Sequence, residues 1–198
     1  MARCDRTHGQ GGTPPSTRLS EGPPIGILIL GAGVSLVLLL GMVRLDQALK
    51  TPAAPSGIIS FELAGSPAAA QRIIDSWNAS ARIQAGISLG LDFFFLAAYA
   101  FTLAGACRKV AAHLPGYRVR WMLMGGMLAR AAWLAGCLDV VENLALIQFL
   151  IGPGQAWQPV VAAWCAWPKF GLAAIILLYI GFGGAVIALQ RRGVRKAA

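Results

Sequence analysis

The sequence predicts an all-α membrane protein: a bundle of four transmembrane helices with an amphipathic interfacial helix in the first extracytoplasmic loop. Three observations predict it. Of 198 residues, 57% are apolar and only 13% are charged, whereas a soluble domain carries roughly a quarter charged residues. The charges are also segregated, which leaves four apolar runs, each long enough to cross a hydrocarbon core about 30 Å thick. Finally, Lys and Arg gather in the flanks of these runs in the way that sets membrane topology. A mean hydropathy of +0.63 agrees.

The leader, residues 1–24, is rich in Gly, Pro, Ser and Thr and has no apolar periodicity, so it reads as a disordered cytoplasmic tail. The transmembrane domain then spans residues 25–190. Its first span, about 25–44, follows Pro23-Pro24, where proline is tolerated at a helix start. This apolar run exceeds the roughly 7–15 residues of a secretory signal, and Thr51-Pro52-Ala53-Ala54-Pro55 offers no clean small-x-small cleavage site. The span is therefore expected to be retained. Within it, Gly31-Ala32-Gly33 imitates the turn of a dinucleotide-binding unit. Leu36 stands where the third glycine belongs, and no acid follows about 20 residues later. Glycine here reads instead as a means of close helix packing, as do Gly86 and Gly90 in span two.

In the long first loop, Ile58-Ile59-Ser60-Phe61-Glu62-Leu63 is expected to run extended and tuck against the bundle. Ser66-Pro67 then signals a helix start, serine as cap and proline in the first turn. Ala70, Ile73, Ile74 and Trp77 follow at i, i+3, i+4 and i+7, which predicts the interfacial helix over about 67–79. Spans two, three and four are read at about 83–107, 121–151 and 158–190. Residues 191–198 form a basic cytoplasmic tail facing anionic lipid.

Basic residues orient the whole. Arg3, Arg6 and Arg18 precede span one. Arg108, Lys109, Arg118 and Arg120 crowd the short loop between spans two and three, and Arg191, Arg192, Arg195 and Lys196 end the chain. The loop 152–158 has none. Both termini are thus expected in the cytoplasm of a cell whose inner (plasma) membrane holds the protein. Trp77, Trp157, Trp164 and Trp167 are expected at the outer headgroup level, with Trp121 at the inner. The net charge of +9 does not indicate nucleic acid, because the bases sit in tails and one loop beside apolar runs rather than interleaved with exposed aromatics. Cys137 and Cys165 fall on the outer side and are close enough in depth to meet, though small packing residues are the plainer reading.

The informative residues are the charges inside the spans. Span two carries Asp92, with Tyr99 two turns on along the same face. Span three carries Asp139, Glu142 and Asn143 at i, i+3 and i+4, on one side of a helix. Span four carries Lys169, beside Pro168, whose missing N–H frees a carbonyl that a polar pocket would satisfy. Counted from the outer ends, Asp92, Asp139, Glu142 and Lys169 lie roughly 13–18 Å deep. A charge at that depth costs roughly 2.5–3.5 kcal/mol on insertion scales, so such residues seldom face lipid. Arg130 points away and is expected to make a separate inner contact.

Phe61-Glu62-Leu63-Ala64, Asp92-Phe93-Phe94-Phe95 with Tyr99, Asp139-Val140-Val141-Glu142-Asn143 and Lys169-Phe170 together resemble a group of uncharacterised bacterial four-span membrane proteins, over about Phe61 to Tyr179. The resemblance implies architecture and location, not an activity. The arrangement is also similar, by analogy only, to sterol-isomerase-like four-span proteins that hold acids in an intramembrane pocket, whose motif order this chain lacks.

The expected function is therefore a pocket in the outer half of the bilayer that binds a lipid or small amphiphile. Asp92, Asp139 and Glu142 would accept hydrogen bonds or carry protons, Asn143 would orient, Lys169 would supply the counter-charge, and Glu62 would close the pocket from the loop. Two other classes compete: a purely structural network in an accessory or scaffold subunit, and a proton or ion path in a homo-oligomer. Neither cofactor nor metal is expected. No HExxH, serine–histidine pair or phosphate-binding loop is present, so catalytic residues stay unassigned and any catalysis would use carboxylates as acid and base.

Overall fold

The computed structural model describes residues 22–114 and 118–197. Most of the leader, and so its expected disorder, lies outside the described residues. Four long helices make the body: α1 (Ile25–Asp46), α4 (Ala79–His113), α5 (Arg118–Ile151) and α6 (Gln158–Ala197). All four carry stretches long and apolar enough to cross a membrane, and no strand occurs among the described residues. The protein is an all-α four-helix membrane bundle.

The helices outrun the apolar runs that announce them. Helix α4 begins at Ala79 rather than near 83 because Asn78 caps it, its side-chain oxygen accepting from Ala81 N–H at 2.8 Å. Arg82, read as a boundary, lies inside the helix and donates from Nε to the carbonyls of Ile74 and Trp77. At the far end α6 continues through Arg191 and Arg192 instead of ending in a tail. Arginine is a good helix former, so charge ends the apolar run without ending the helix.

Packing follows small residues. The buried stripe of α4 includes Ala81, Ala85, Ser88, Asp92, Ala100 and Ala104, and α5 packs along it. Helix α6 closes against α5, while α1 packs on α4 and scarcely touches α6. The α1–α4 seam depends on two glycines: Cβ atoms added at Gly31 and Gly105 would run into Thr102 and Leu28 respectively. Gly86 and Gly90 serve no such seam. The first has one distant neighbour and the second none, so that GxxxG pattern does not mark a helix interface.

Between α1 and α4 the chain builds a cap over one end of the bundle. A 3-10 turn (Gln47–Leu49) leads to two short helices, α2 (Ile58–Glu62) and α3 (Pro67–Ser76). The segment expected to be extended is thus helical. Asp46, at the end of α1, accepts the Ile58 N–H at 2.7 Å and so caps α2 from across the loop. Gly57, at a φ of +59°, makes the turn into that contact, and a side chain there would collide with Asp46. Ile58, Phe61 and Glu62 then face inward at i, i+3 and i+4.

Helix α3 starts as expected at Ser66, whose hydroxyl accepts from Ala69 N–H. Its apolar face meets protein rather than lipid: Ala70, Ile73 and Ile74 join Phe61, Leu89, Leu146 and Phe149 in one core. Trp77 belongs to the same core. It is 2% exposed and its indole donates to the Leu49 carbonyl at 2.8 Å, so it anchors the cap and not the headgroup layer. Trp157, Trp164 and Trp167 are exposed on α6 and the loop before it, as an aromatic belt requires. Cys137 and Cys165 are both free thiols.

Candidate functional site

Below the cap the bundle changes character. The cap core is apolar, and so is a second core nearer the other end, built of Ala104, Cys107, Val110, Ala129, Ile176 and Tyr179 among others. Between them lies a polar layer of Glu62, Ser88, Asp92, Asp139, Glu142, Asn143 and Lys169, all buried.

Each member is placed by its helix. The α5 trio projects from one side, as i, i+3 and i+4 spacing requires. Lys169 reaches across from α6, its ammonium 2.8 Å from Asp139 Oδ1 and 2.9 Å from Glu142 Oε2. Glu62 enters from α2, 3.8 Å from the same ammonium. On the other flank Asn143 donates to Asp92 Oδ2 at 2.6 Å, joining α5 to α4. Tyr99 of α4 donates its hydroxyl proton to Asp139 Oδ2 at 3.0 Å. The seven residues singled out from the sequence therefore fall into two groups: Glu62, Tyr99, Asp139 and Glu142 around Lys169, and Asp92 paired with Asn143.

They do not all play one part. A cavity of about 530 Å³ is bordered by Glu62, Asp92, Tyr99, Asp139 and Lys169 on its polar floor. Glu142 and Asn143 do not line it; both are 0% exposed and sit behind the floor. Their remaining atoms are poorly served: Glu142 Oε1 and Asn143 Oδ1 have no hydrogen-bond partner, nor does the Ser88 hydroxyl in the same layer. The cavity walls are apolar, with Leu36, Leu39 and Met42 of α1 facing Phe170, Ala173 and Leu177 of α6. Because α1 and α6 hardly meet, the gap between them is the way in. Leu36 and Leu177, on its two sides, are 56% and 57% exposed.

Sequence reasoning missed three features of this site. Asp46 lines the rim, but an acid that ends an apolar run reads as a boundary. Ser35 and Thr102 line the walls, yet each spends its hydroxyl proton on a carbonyl one turn back, at Gly31 and Ala98. Span one, which received no candidate residue because it carries no charge within its apolar run, supplies one wall. One expectation is corrected. Pro168 is exposed on α6, and the carbonyl its ring frees is that of Trp164, one turn back and 77% exposed, so it is not a pocket group. Arg130, expected to point away from the polar layer, is exposed on α5.

A larger hollow of about 770 Å³ opens at the other end of the bundle, between His113 of α4 and Arg191 and Arg192 of α6. Among the described residues its lining contains no acid and shares no member with the polar layer. The chemistry gathers in the smaller cavity. Among the described residues no three His, Cys, Asp or Glu side chains are disposed to hold a metal ion together.

No family model, curated protein or solved structure matches this chain. Function must be read from the site itself.

Glu62 belongs to the cap rather than to a span, and burial pushes its carboxyl above the ordinary value of 4.5. Lys169 pulls it back down, while Asp139 and Asp46 repel the charged form. A raised acid binds more protons folded than unfolded, so its contribution to stability falls as pH rises above about 4.5. Glu62→Gln should therefore flatten that part of the pH–stability profile. Thermal unfolding in detergent across pH 4–8 measures it, and parallel profiles for the two proteins would contradict the assignment.

Proposed function

We propose that this is a bacterial inner-membrane protein whose lateral cavity binds a lipid or small amphiphile. The observation that carries the reading is the cavity's division of labour: apolar walls formed by two scarcely touching helices, over a floor of buried ionisable groups. Ligand sites generally combine an apolar lining with a few convergent polar groups. Charges at this depth are expensive unless they serve a site or a tie between helices. Five of the polar residues border the cavity and so are available to a bound head group.

In this reading both termini are cytoplasmic and the cap faces outward. Support comes from the bases at 108, 109, 118 and 120 and at the end of α6, all at the bundle end opposite α2 and α3. Entry is then from the outer leaflet, with head groups arriving at the cap and chains following between α1 and α6.

The structural reading keeps a share of the cluster. Glu142 and Asn143, fully buried behind the floor, tie α5 to α6 and to α4. A through-path for ions has less support, since the apolar core around Ala129 and Ile176 separates the polar layer from the other end.

The test is occupancy. Native mass spectrometry of the protein extracted from membranes should find a bound amphiphile. Ala173→Trp, which fills the cavity from its α6 wall one turn beyond Lys169, should remove it while the protein still folds, as thermal unfolding in detergent checks. An empty wild-type protein, or equal occupancy in the variant, defeats the proposal.

A further inference from the structure

The charge pattern of the floor selects among amphiphiles. The floor and the layer behind it hold four carboxyl groups, Glu62, Asp92, Asp139 and Glu142, against one ammonium, Lys169. Lys169 is already largely committed. It donates to Asp139 at 2.8 Å and pairs with Glu142 at 2.9 Å, while Glu62 stands 3.8 Å away without a hydrogen bond. At most one of its three donors is left for a phosphate or carboxylate head group, and an anion that took it would meet the four acids.

Acceptors, in contrast, stand open. Asp92 uses one carboxylate oxygen toward Asn143, and its other oxygen has no hydrogen bond although the residue is nine-tenths buried and borders the cavity. Glu62 lies beyond hydrogen-bonding distance of Lys169. Tyr99 donates a hydrogen bond to Asp139, which leaves its phenolic oxygen able to accept one. Asp46 adds a further acid at the rim. Aromatic rings complete the lining: Phe95 and Tyr99, with centroids 5.2 Å apart, and Phe170, whose ring already carries the Lys169 ammonium at 4.8 Å. Ring faces attract cations, more strongly where water is excluded. Beyond the acids the cavity continues between Leu36 and Ala32 of α1 and Leu177 of α6. From Asp46 to Ala32 along α1 is about 21 Å by helical rise, room for one extended hydrocarbon chain.

We propose that the ligand is a cationic amphiphile, a single-chain aliphatic ammonium whose head rests among Glu62, Asp92 and Tyr99 and whose chain lies between α1 and α6. This rests on the amphiphile reading and fixes its head-group chemistry. The head group would donate to the free Asp92 oxygen and to Glu62, and offset the surplus negative charge that Lys169 alone leaves.

The full chain in nanodiscs of zwitterionic lipid decides it, with dodecylamine, dodecanol and dodecanoate as probes and Ala173→Trp protein as the blank for partition into lipid. Dodecylamine should bind saturably, one per protein, at least about tenfold tighter than dodecanol, and dodecanoate should not saturate. Asp92→Asn should weaken the amine at least about tenfold and leave dodecanol unchanged. Should Asp92→Asn fail to fold, Glu62→Gln in the cap should weaken the amine in the same selective way. Dodecanol or dodecanoate binding as tightly as the amine overturns the cationic head group while leaving the cavity reading intact. So does amine binding that ignores both carboxyl variants. Saturable binding of none of the three overturns both readings.

Discussion

Replacing Lys169 with methionine should cost about 3–5 kcal/mol of stability, the penalty for stranding buried charge by removing its partner. The volume is nearly kept, so packing loss is not the cause. Lys169 is the single base among the buried residues of the polar layer, and it holds Asp139 and Glu142 at ion-pairing distance while facing Glu62. Without it these carboxyl groups repel one another in a place that water does not reach freely. The check is a double comparison in detergent: Lys169→Met alone against Lys169→Met combined with Asp139→Asn and Glu142→Gln. The triple variant should regain a large part of the loss, because neutral isosteres no longer need the ammonium. A single variant as stable as wild type, or a triple variant no better than the single, would show that the cluster is not held by charge.

Phe61→Ala should be comparably severe, about 3–5 kcal/mol, the range for emptying a buried phenylalanine site. Phe61 is 0% exposed and is the hinge of the cap core, edge-on to Trp77 with centroids 5.4 Å apart and 6.3 Å from Phe149 of α5. It also sits next to Glu62 on a five-residue helix, too short to persist without its packing. Its loss should therefore release Glu62 from Lys169 as well as loosen α3. Limited proteolysis of the loop 50–66, together with thermal unfolding, reads both effects. A variant that resists protease like the wild type would show that α2 is held by the Asp46 contact and not by its own aromatic anchor.

Much of this was legible in the sequence because membrane folding reduces to few rules. Apolar runs gave the four spans, and expense at depth singled out Asp92, Asp139, Glu142 and Lys169. Helical spacing put the α5 trio on one face, and counting residues brought three helices to one level. The failures share a cause: they depend on contacts distant in sequence. Helix α2 has only the inward set Ile58, Phe61 and Glu62 to announce it, and its cap comes from Asp46, 12 residues earlier. Trp77 was misread because the same ring suits a headgroup layer and a protein core, and only tertiary placement separates them. Gly86 and Gly90 have the spacing of a helix seam but lie on a face that α1 and α5 do not seal. Conversely Gly31 and Gly105, which do form the seam, have no shared pattern because they sit on different helices. The cavity itself was the least legible part. It arises from what α1 does not touch, and a missing contact leaves no residue type behind.

That loosely held first helix has a mechanical consequence. Helices α4, α5 and α6 pack as a three-helix unit, whereas α1 leans mainly on α4 and is pinned at one end by the Asp46–Ile58 hydrogen bond. A sideways sway of α1 about that pin would widen or narrow the slot facing α6. Traffic between the hollow and the surrounding bilayer would then require one helix to rock on its seam with α4, and the rate of exchange would be set by that seam together with the grip of one carboxylate on one amide.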